Sequence, residues 1–222
     1  MIFSWRVSAH MRVSFGSKLL FSAALLGSCT LFNSCSPTPK AAEATSTEAA
    51  KPAVVAPISG KTAYWEMYTS ARNWSKDIIP LEVQSQSIPG ISNEGGKAAM
   101  WTATFASPSK SEVRVFTYAI AAKKPDIYKG VAIGRGLPWN GPSRDMLPFQ
   151  MGEVAVDSEA AYTAAEADAA AWLKQHPGEE VSLTLRNMAK YNVPTWVVLF
   201  GDNKKGYRAL VNGISGSTIT NK

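Results

Sequence analysis

A chain of 222 residues, 45% of them apolar and 18% charged, has room for one large domain or two small ones. Its composition is globular rather than disordered or fibrous. The formal charge is +6, but Arg6, Arg12 and Lys18 all precede the first acid, Glu43, and lie in a segment that reads as a leader; removing those three from +6 leaves about +3 with no Lys/Arg block, which argues against nucleic acid as a partner.

The leader places basic residues before an apolar run, Leu19 to Ser28, too short for a comfortable permanent span. Met11 is an alternative start. The run ends at Leu26-Gly27-Ser28-Cys29. This ending resembles the lipobox of a bacterial lipoprotein precursor, an aliphatic residue and two small residues before a cysteine. The resemblance implies cleavage before Cys29, with residues 1–28 as signal peptide, and acylation of the Cys29 sulfur. Cys35 is the alternative anchor, although Phe32 and Asn33 fit the pattern less well; an ordinary secreted protein with a Cys29–Cys35 disulfide is the plainer reading. No cysteine follows, so the folded part is expected to lack both disulfide and thiol chemistry. A lipid makes the chain anchored to a membrane rather than spanning it. Thr30, not Asp, follows Cys29, which by resemblance to Gram-negative sorting implies the outer membrane, facing the periplasm or the cell surface.

Ser36 to Gly60 is rich in Pro, Ala, Ser, Thr and Glu. Such a stretch buries too little apolar surface to offset ordering entropy, so residues 29–60 read as lipidated cysteine and flexible tether. From Lys61, Tyr64, Met67, Tyr68, Ala71, Trp74 and Ile78 recur at helical spacing, with Pro80 as the stop. Leu81 to Ile91 follows as a strand or irregular link. Trp101, Ala103 and Phe105 alternate with Thr102 and Thr104, and Val113 to Ile120 reads as the partner strand of a hairpin.

Residues 151–222 repeat the order of 61–150. Tyr162 stands 98 positions after Tyr64, Ala169 after Ala71, Trp172 after Trp74 and Val181 after Val83. The hairpins match at a shift of 95, Trp101 with Trp196 and Phe105 with Phe200, and the next strands pair Val113-Arg114-Val115-Phe116 with Tyr207-Arg208-Ala209-Leu210. Asp157 or Ser158 caps the second helix and Pro177-Gly178 ends it. Trp196 to Phe200 lacks a polar face, as expected of a strand covered on both sides. The expected fold class is therefore α+β: two related units, each a helix on a small antiparallel sheet, packed together. Modules of this size are marginal alone, and the small residues Ala164, Ala167, Ala170 and Ala171 suggest a close helix contact between them.

The segment from Ser158 to Ile219, with its Ala-rich helix ending at His176-Pro177-Gly178 and its last hairpin ending at Asn212-Gly213-Ile214-Ser215-Gly216, resembles a PepSY-type, cystatin-like module. That resemblance implies a non-catalytic domain of a secreted or surface protein, associated with envelope binding or peptidase inhibition. Asn212 and Ser215 depart from the Asp and Thr common there.

Catalytic constellations are sparse. His176 is the one histidine after the leader, so a His/Cys metal site or a Cys–His nucleophile is excluded within one chain. No Gly-x-Ser-x-Gly elbow is present, and Gly134-Arg135-Gly136 lacks the rest of a phosphate loop. The expectation is no enzyme, no metal and no cofactor. The candidate partner site is the long connection Lys123 to Met151, where Tyr128 and Trp139 offer flat apolar contact and Arg135 and Arg144 offer guanidinium groups for carboxylates or phosphates; the plainer reading makes Trp139 a packing anchor. The expected function is a lipid-anchored envelope protein binding a protein or peptide partner. An inhibitor or chaperone-like regulator of a secreted peptidase, or an enzyme with an unrecognised site, are the alternatives.

Overall fold

The computed structural model describes residues 56–220; the leader, Cys29, Cys35 and nearly all of the tether lie outside the described residues. Helix α1 spans Gly60–Trp74, with Ser59 at its N-cap accepting from the Thr62 N–H. Its buried face carries Ala63, Tyr64, Met67 and Ala71, the spacing legible in the sequence. The helix stops earlier than expected. Ser75 takes an extended conformation, φ −150° and ψ 148°, and strand β1, Ile79–Gln86, already contains Pro80. Proline has no N–H for a ladder, and it stands at the strand's first turn, where the register slips between Pro80 and Glu82.

Strands β2 (Met100–Ser107) and β3 (Glu112–Ala119) form the expected hairpin. The connection that follows is not a structureless loop. It contributes β4 (Gly130–Ile133) and β5 (Leu137–Pro138), both paired to β3. A short 3₁₀ turn at Met151–Glu153 leads to α2 (Ser158–Asp168), capped by Asp157, and to α3 (Ala170–Leu173). Strands β6 (Val181–Asn187), β7 (Pro194–Phe200) and β8 (Tyr207–Asn212) complete the chain. All pairings are antiparallel, in the order β4-β3-β2-β1-β6-β7-β8, with β5 also against β3. The architecture is α+β: one open antiparallel sheet with a few helices.

The period of two and the ladder register sort side chains to faces. Val83, Trp101, Ala103, Phe105, Phe116, Leu183, Leu185, Trp196, Val198, Phe200, Ala209 and Val211 share the helix-covered face and form the main core with α1 and α2. Glu82, Thr102, Thr104, Val113, Val115, Thr184, Arg186, Val197 and Leu199 occupy the other. Val197 is buried there, as its apolar run implied, while Leu199 is only partly covered.

Two expectations about how residues 61–150 and 151–222 join and align need correction. Ala167, Ala170 and Ala171 are exposed; the joint is made instead by β1 pairing with β6, Val83 opposite Leu185, because two unpaired strand edges gain a ladder that a small-residue contact lacks. The expected match of Phe116 with Leu210 does not hold for their faces: Phe116 lies opposite Ala103 and Ala209 opposite Val198, both on the helix-covered side. A one-residue slip exchanges faces, which is why Phe116 is core while Leu210 belongs to the opposite side.

At the centre, the N-termini of α1 and α2 meet. Asp157 Oδ1 accepts from the N–H groups of Ser158 (2.6 Å) and Lys61 (2.9 Å), and Ser59 Oγ donates to Oδ2 at 2.7 Å. The Gly60 N–H donates to Ser158 Oγ at 2.8 Å. Gly60 has to be glycine: a Cβ there would lie 2.8 Å from Trp196 Cη2 and 3.1 Å from Trp101 Cη2.

Candidate functional site

The segment between β3 and the 3₁₀ turn forms a strap across the helix-free face. Its first end is fixed by Gly134 N–H donating to Val115 O (2.8 Å), Leu137 pairing with Val113, and Trp139 N–H donating to Ser111 O (2.9 Å). Its second end is fixed by Leu147 N–H to Asn187 O (2.8 Å), Ala189 N–H to Arg144 O (2.8 Å) and Phe149 N–H to Pro80 O (3.2 Å). Between these anchors the strap walls a pocket of about 360 Å³, with Leu81, Thr104, Val113 and Val115 from the sheet and Arg135, Leu137, Trp139 and Met146 among its strap residues.

Of the four residues singled out in the sequence, Arg135 and Trp139 therefore come together. Tyr128 does not join them. It is 67% exposed, between the turn that the Lys123–Ile127 bridge closes and the start of β4. Arg144 is exposed, and its carbonyl, not its guanidinium, makes the recorded bond. The residues missed are apolar: Val131 and Ile133 on β4, 37% and 51% exposed, and Leu137 and Val115, 48% and 41% exposed. The short run Val131-Ala132-Ile133 between Gly130 and Gly134 was the available signal.

The sheet's two edges differ. Beyond β8, Val211 bridges to Thr218 and the Ile219 N–H donates to Leu210 O at 2.7 Å, so that edge is covered by the chain itself. Beyond β4 no strand pairs among the described residues. Gly134 bonds Val115, and antiparallel residues alternate between bonded and unbonded pairs; Val131 and Ile133 thus turn their backbone N–H and C=O groups outward. From Lys123 to Arg135 the charges are Lys123, Lys124, Lys129 and Arg135 against Asp126 alone.

Elsewhere the polar groups have structural roles. Asp77 Oδ1 accepts from Ser75 Oγ (2.6 Å) and Ser107 Oγ (2.7 Å), and Oδ2 accepts from the Ser109 N–H (2.7 Å). The Ser75 hydroxyl, then the Ser109 N–H and the Ser107 hydroxyl, hold its carboxyl far below the usual range. Glu82 behaves oppositely: burial raises it, against the pull of Arg186 at 3.9 Å. His176 stacks on Trp172 with ring centroids 4.1 Å apart and its Nδ1 3.0 Å from Trp172 O, packed at the helix end. Among the described residues no group of three or more His, Cys, Asp or Glu is placed to hold a metal, and no helix is long and apolar enough to cross a membrane.

No family model matches the chain, and no curated protein matches it. Among solved structures, the chain is similar to a protein of Clostridium difficile 630 provisionally assigned as a lipoprotein, crystallised at 1.85 Å, with 10% identity and a TM-score of 0.47 over 71% of this chain and 90% of that one.

Proposed function

We propose that the chain is a lipid-anchored cell-envelope protein whose folded body is a non-catalytic binding module, capturing an extended segment of a partner protein along β4. The carrying observation is the asymmetry of the sheet: the β8 edge is occupied by residues 217–219, whereas β4 offers outward backbone groups beside exposed Val131 and Ile133. An added strand supplies affinity through the ladder and specificity through alternate side chains. Lysines beside the edge disfavour pairing with a second copy and favour an acidic segment. Tyr128, which leads into β4 and is exposed, flanks this edge as a contact for the partner.

The body itself is proposed to consist of two related, PepSY-like halves about a twofold axis. Residues on such an axis meet their own counterparts. In support, Ser59 bonds Asp157, Gly60 bonds Ser158, and the Leu183 N–H donates to Ser85 Oγ, each pair 98 positions apart. Trp101 and Trp196 meet edge to face with centroids 6.4 Å apart. Their indole N–H groups donate to Ile58 O and Val156 O, again counterparts.

Acylation at Cys29, with Thr30 after it, is proposed to hold the body at the outer membrane; Cys29→Ala then abolishes palmitate labelling. The binding site is tested by in-cell photocrosslinking from position 133, with position 208 on β8 as control. Val131→Pro removes an outward donor and should abolish the crosslink from 133. A crosslink indifferent to Val131→Pro, or equal from both edges, overturns strand addition.

A further inference from the structure

The pocket under the strap is distinct from the β4 edge: it opens on the helix-free face of the sheet and needs no strand addition. We infer that this pocket is a binding site for a single hydrocarbon chain ending in a carboxylate, with Arg135 holding the head group. Three observations carry this. First, most of the lining is apolar, Leu81, Val113, Val115, Leu137, Trp139 and Met146, with Thr104 and Ser143 its uncharged polar side chains. Val115 and Leu137 remain 41% and 48% exposed, although both lie in paired strands and each faces the cavity; apolar surface of that extent is left wet unless something covers it. At about 360 Å³ the space sits at the lower end of the roughly 300–1,000 Å³ usual for small-molecule sites, and such sites combine an apolar lining with few polar groups.

Second, Arg135 is the one charged residue lining it, and among the described residues it has no ion-pair partner. No carboxylate lines the cavity, so the guanidinium's donors are free for an anion, and a planar carboxylate matches its fork. Third, several backbone donors in and beside the pocket wall are already used: the N–H groups of Gly134, Trp139, Met146 and Leu147 are bonded to Val115 O, Ser111 O, Ser143 O and Asn187 O. A peptide in this space would bring an amide N–H and C=O for every residue and find few partners, at a real desolvation cost. A hydrocarbon chain brings none. The complement of this lining is thus an alkyl chain with one anionic end, rather than a peptide.

The pocket is also preformed. Both ends of the strap are pinned by backbone bonds, and the slip of register at Pro80–Glu82 leaves Leu81 on the floor, 2% exposed. A ligand therefore does not have to order the strap at its own expense.

The test uses the full chain in nanodiscs and a decanoate analogue carrying a photoreactive diazirine, with labelled peptides mapped by mass spectrometry. Labelling is expected between Leu137 and Met146. Decanoate should compete at least about tenfold more effectively than decanol, and Arg135→Ala should remove most of that preference, with Arg135→Lys restoring part of it. Met146→Trp, which fills the cavity, should suppress labelling; circular dichroism confirms that the variant is folded, and Leu137→Glu serves instead where it is not. Absence of strap labelling, equal competition by decanol, or better competition by an apolar tripeptide acid would overturn the assignment. Val131→Pro separates this site from the partner edge, since it should leave labelling intact while capture is lost.

Discussion

Asp157→Ala tests the joint between the two helices. One carboxylate accepts from the N–H of Ser158 in α2, from the N–H of Lys61 in α1, and from the hydroxyl of Ser59, the α1 N-cap, at 2.6, 2.9 and 2.7 Å. Loss of an N-cap acceptor costs about 1 kcal/mol, and hydrogen bonds to a charged group contribute about 1.5–3 kcal/mol each. The site is only partly buried, so water replaces some of these contacts, and the bonds share one group and do not add fully. The expected loss is about 2–4 kcal/mol, well below the sum of the separate bonds. For a folded body of this size that is a fall in Tm of roughly 5–12 °C. Asp157→Asn keeps Oδ1 for both N–H groups and turns an amide donor toward Ser59 Oγ, which then accepts, so it should lose only about 1 kcal/mol. Urea midpoints and thermal melts of the three proteins measure this. A loss under about 0.5 kcal/mol for the alanine variant, or equal damage by asparagine, would refute the view that this carboxylate ties the helices together.

Trp101→Phe and Trp196→Phe each remove an indole donor, from Ile58 O or Val156 O, but Ile58 O keeps the Ala98 N–H at 3.0 Å. Trp196→Phe should therefore cost more, about 1–3 kcal/mol, and the reverse order in urea melts would refute this reasoning. Asp77 carries a pH prediction. Its carboxyl is depressed in the folded state, so its contribution is complete above the unfolded carboxyl pKa near 4 and is lost as pH falls below it. Asp77→Asn should therefore shrink the acid-induced loss of stability between pH 5 and about pH 2, and an unchanged acid slope would refute the assignment. Glu82 runs the other way, since burial raises it.

Much of the fold was legible because its core obeys simple periods. The α1 face and the alternation of Trp101, Ala103 and Phe105 are local signals, and the structure keeps them. The end of α1 was not. Pro80 looks like a helix stop but marks a bulged strand start, since propensity does not tell an ended helix from a begun strand when both tolerate proline. The pairing of β1 with β6 was also out of reach: it is a contact between edges far apart in sequence, and hydrophobic patterning says which residues are buried but not which strands are neighbours. The site was half legible. Aromatic and guanidinium groups among Gly and Pro pointed to Arg135 and Trp139, yet Val131, Ile133 and Leu137 carry the edge and pocket as ordinary apolar residues in strands of four and two residues.

The centre of the body offers a ligand less than the strap does. In the proposed twofold arrangement, counterpart residues consume one another's polar and packing capacity: Ser59 with Asp157, Gly60 with Ser158, Trp101 with Trp196. Each such pair is satisfied inside the body and has nothing left for a ligand. What has no counterpart is the segment from Lys123 to Phe149, which adds β4 and β5 to one half. The other half's corresponding edge is closed by Thr218 and Ile219. Among the described residues, the unpaired backbone groups at β4, the guanidinium of Arg135 without an ion pair and the uncovered apolar surface at Val115 and Leu137 all lie in or against that segment, so the proposed binding is concentrated where the proposed repeat is broken.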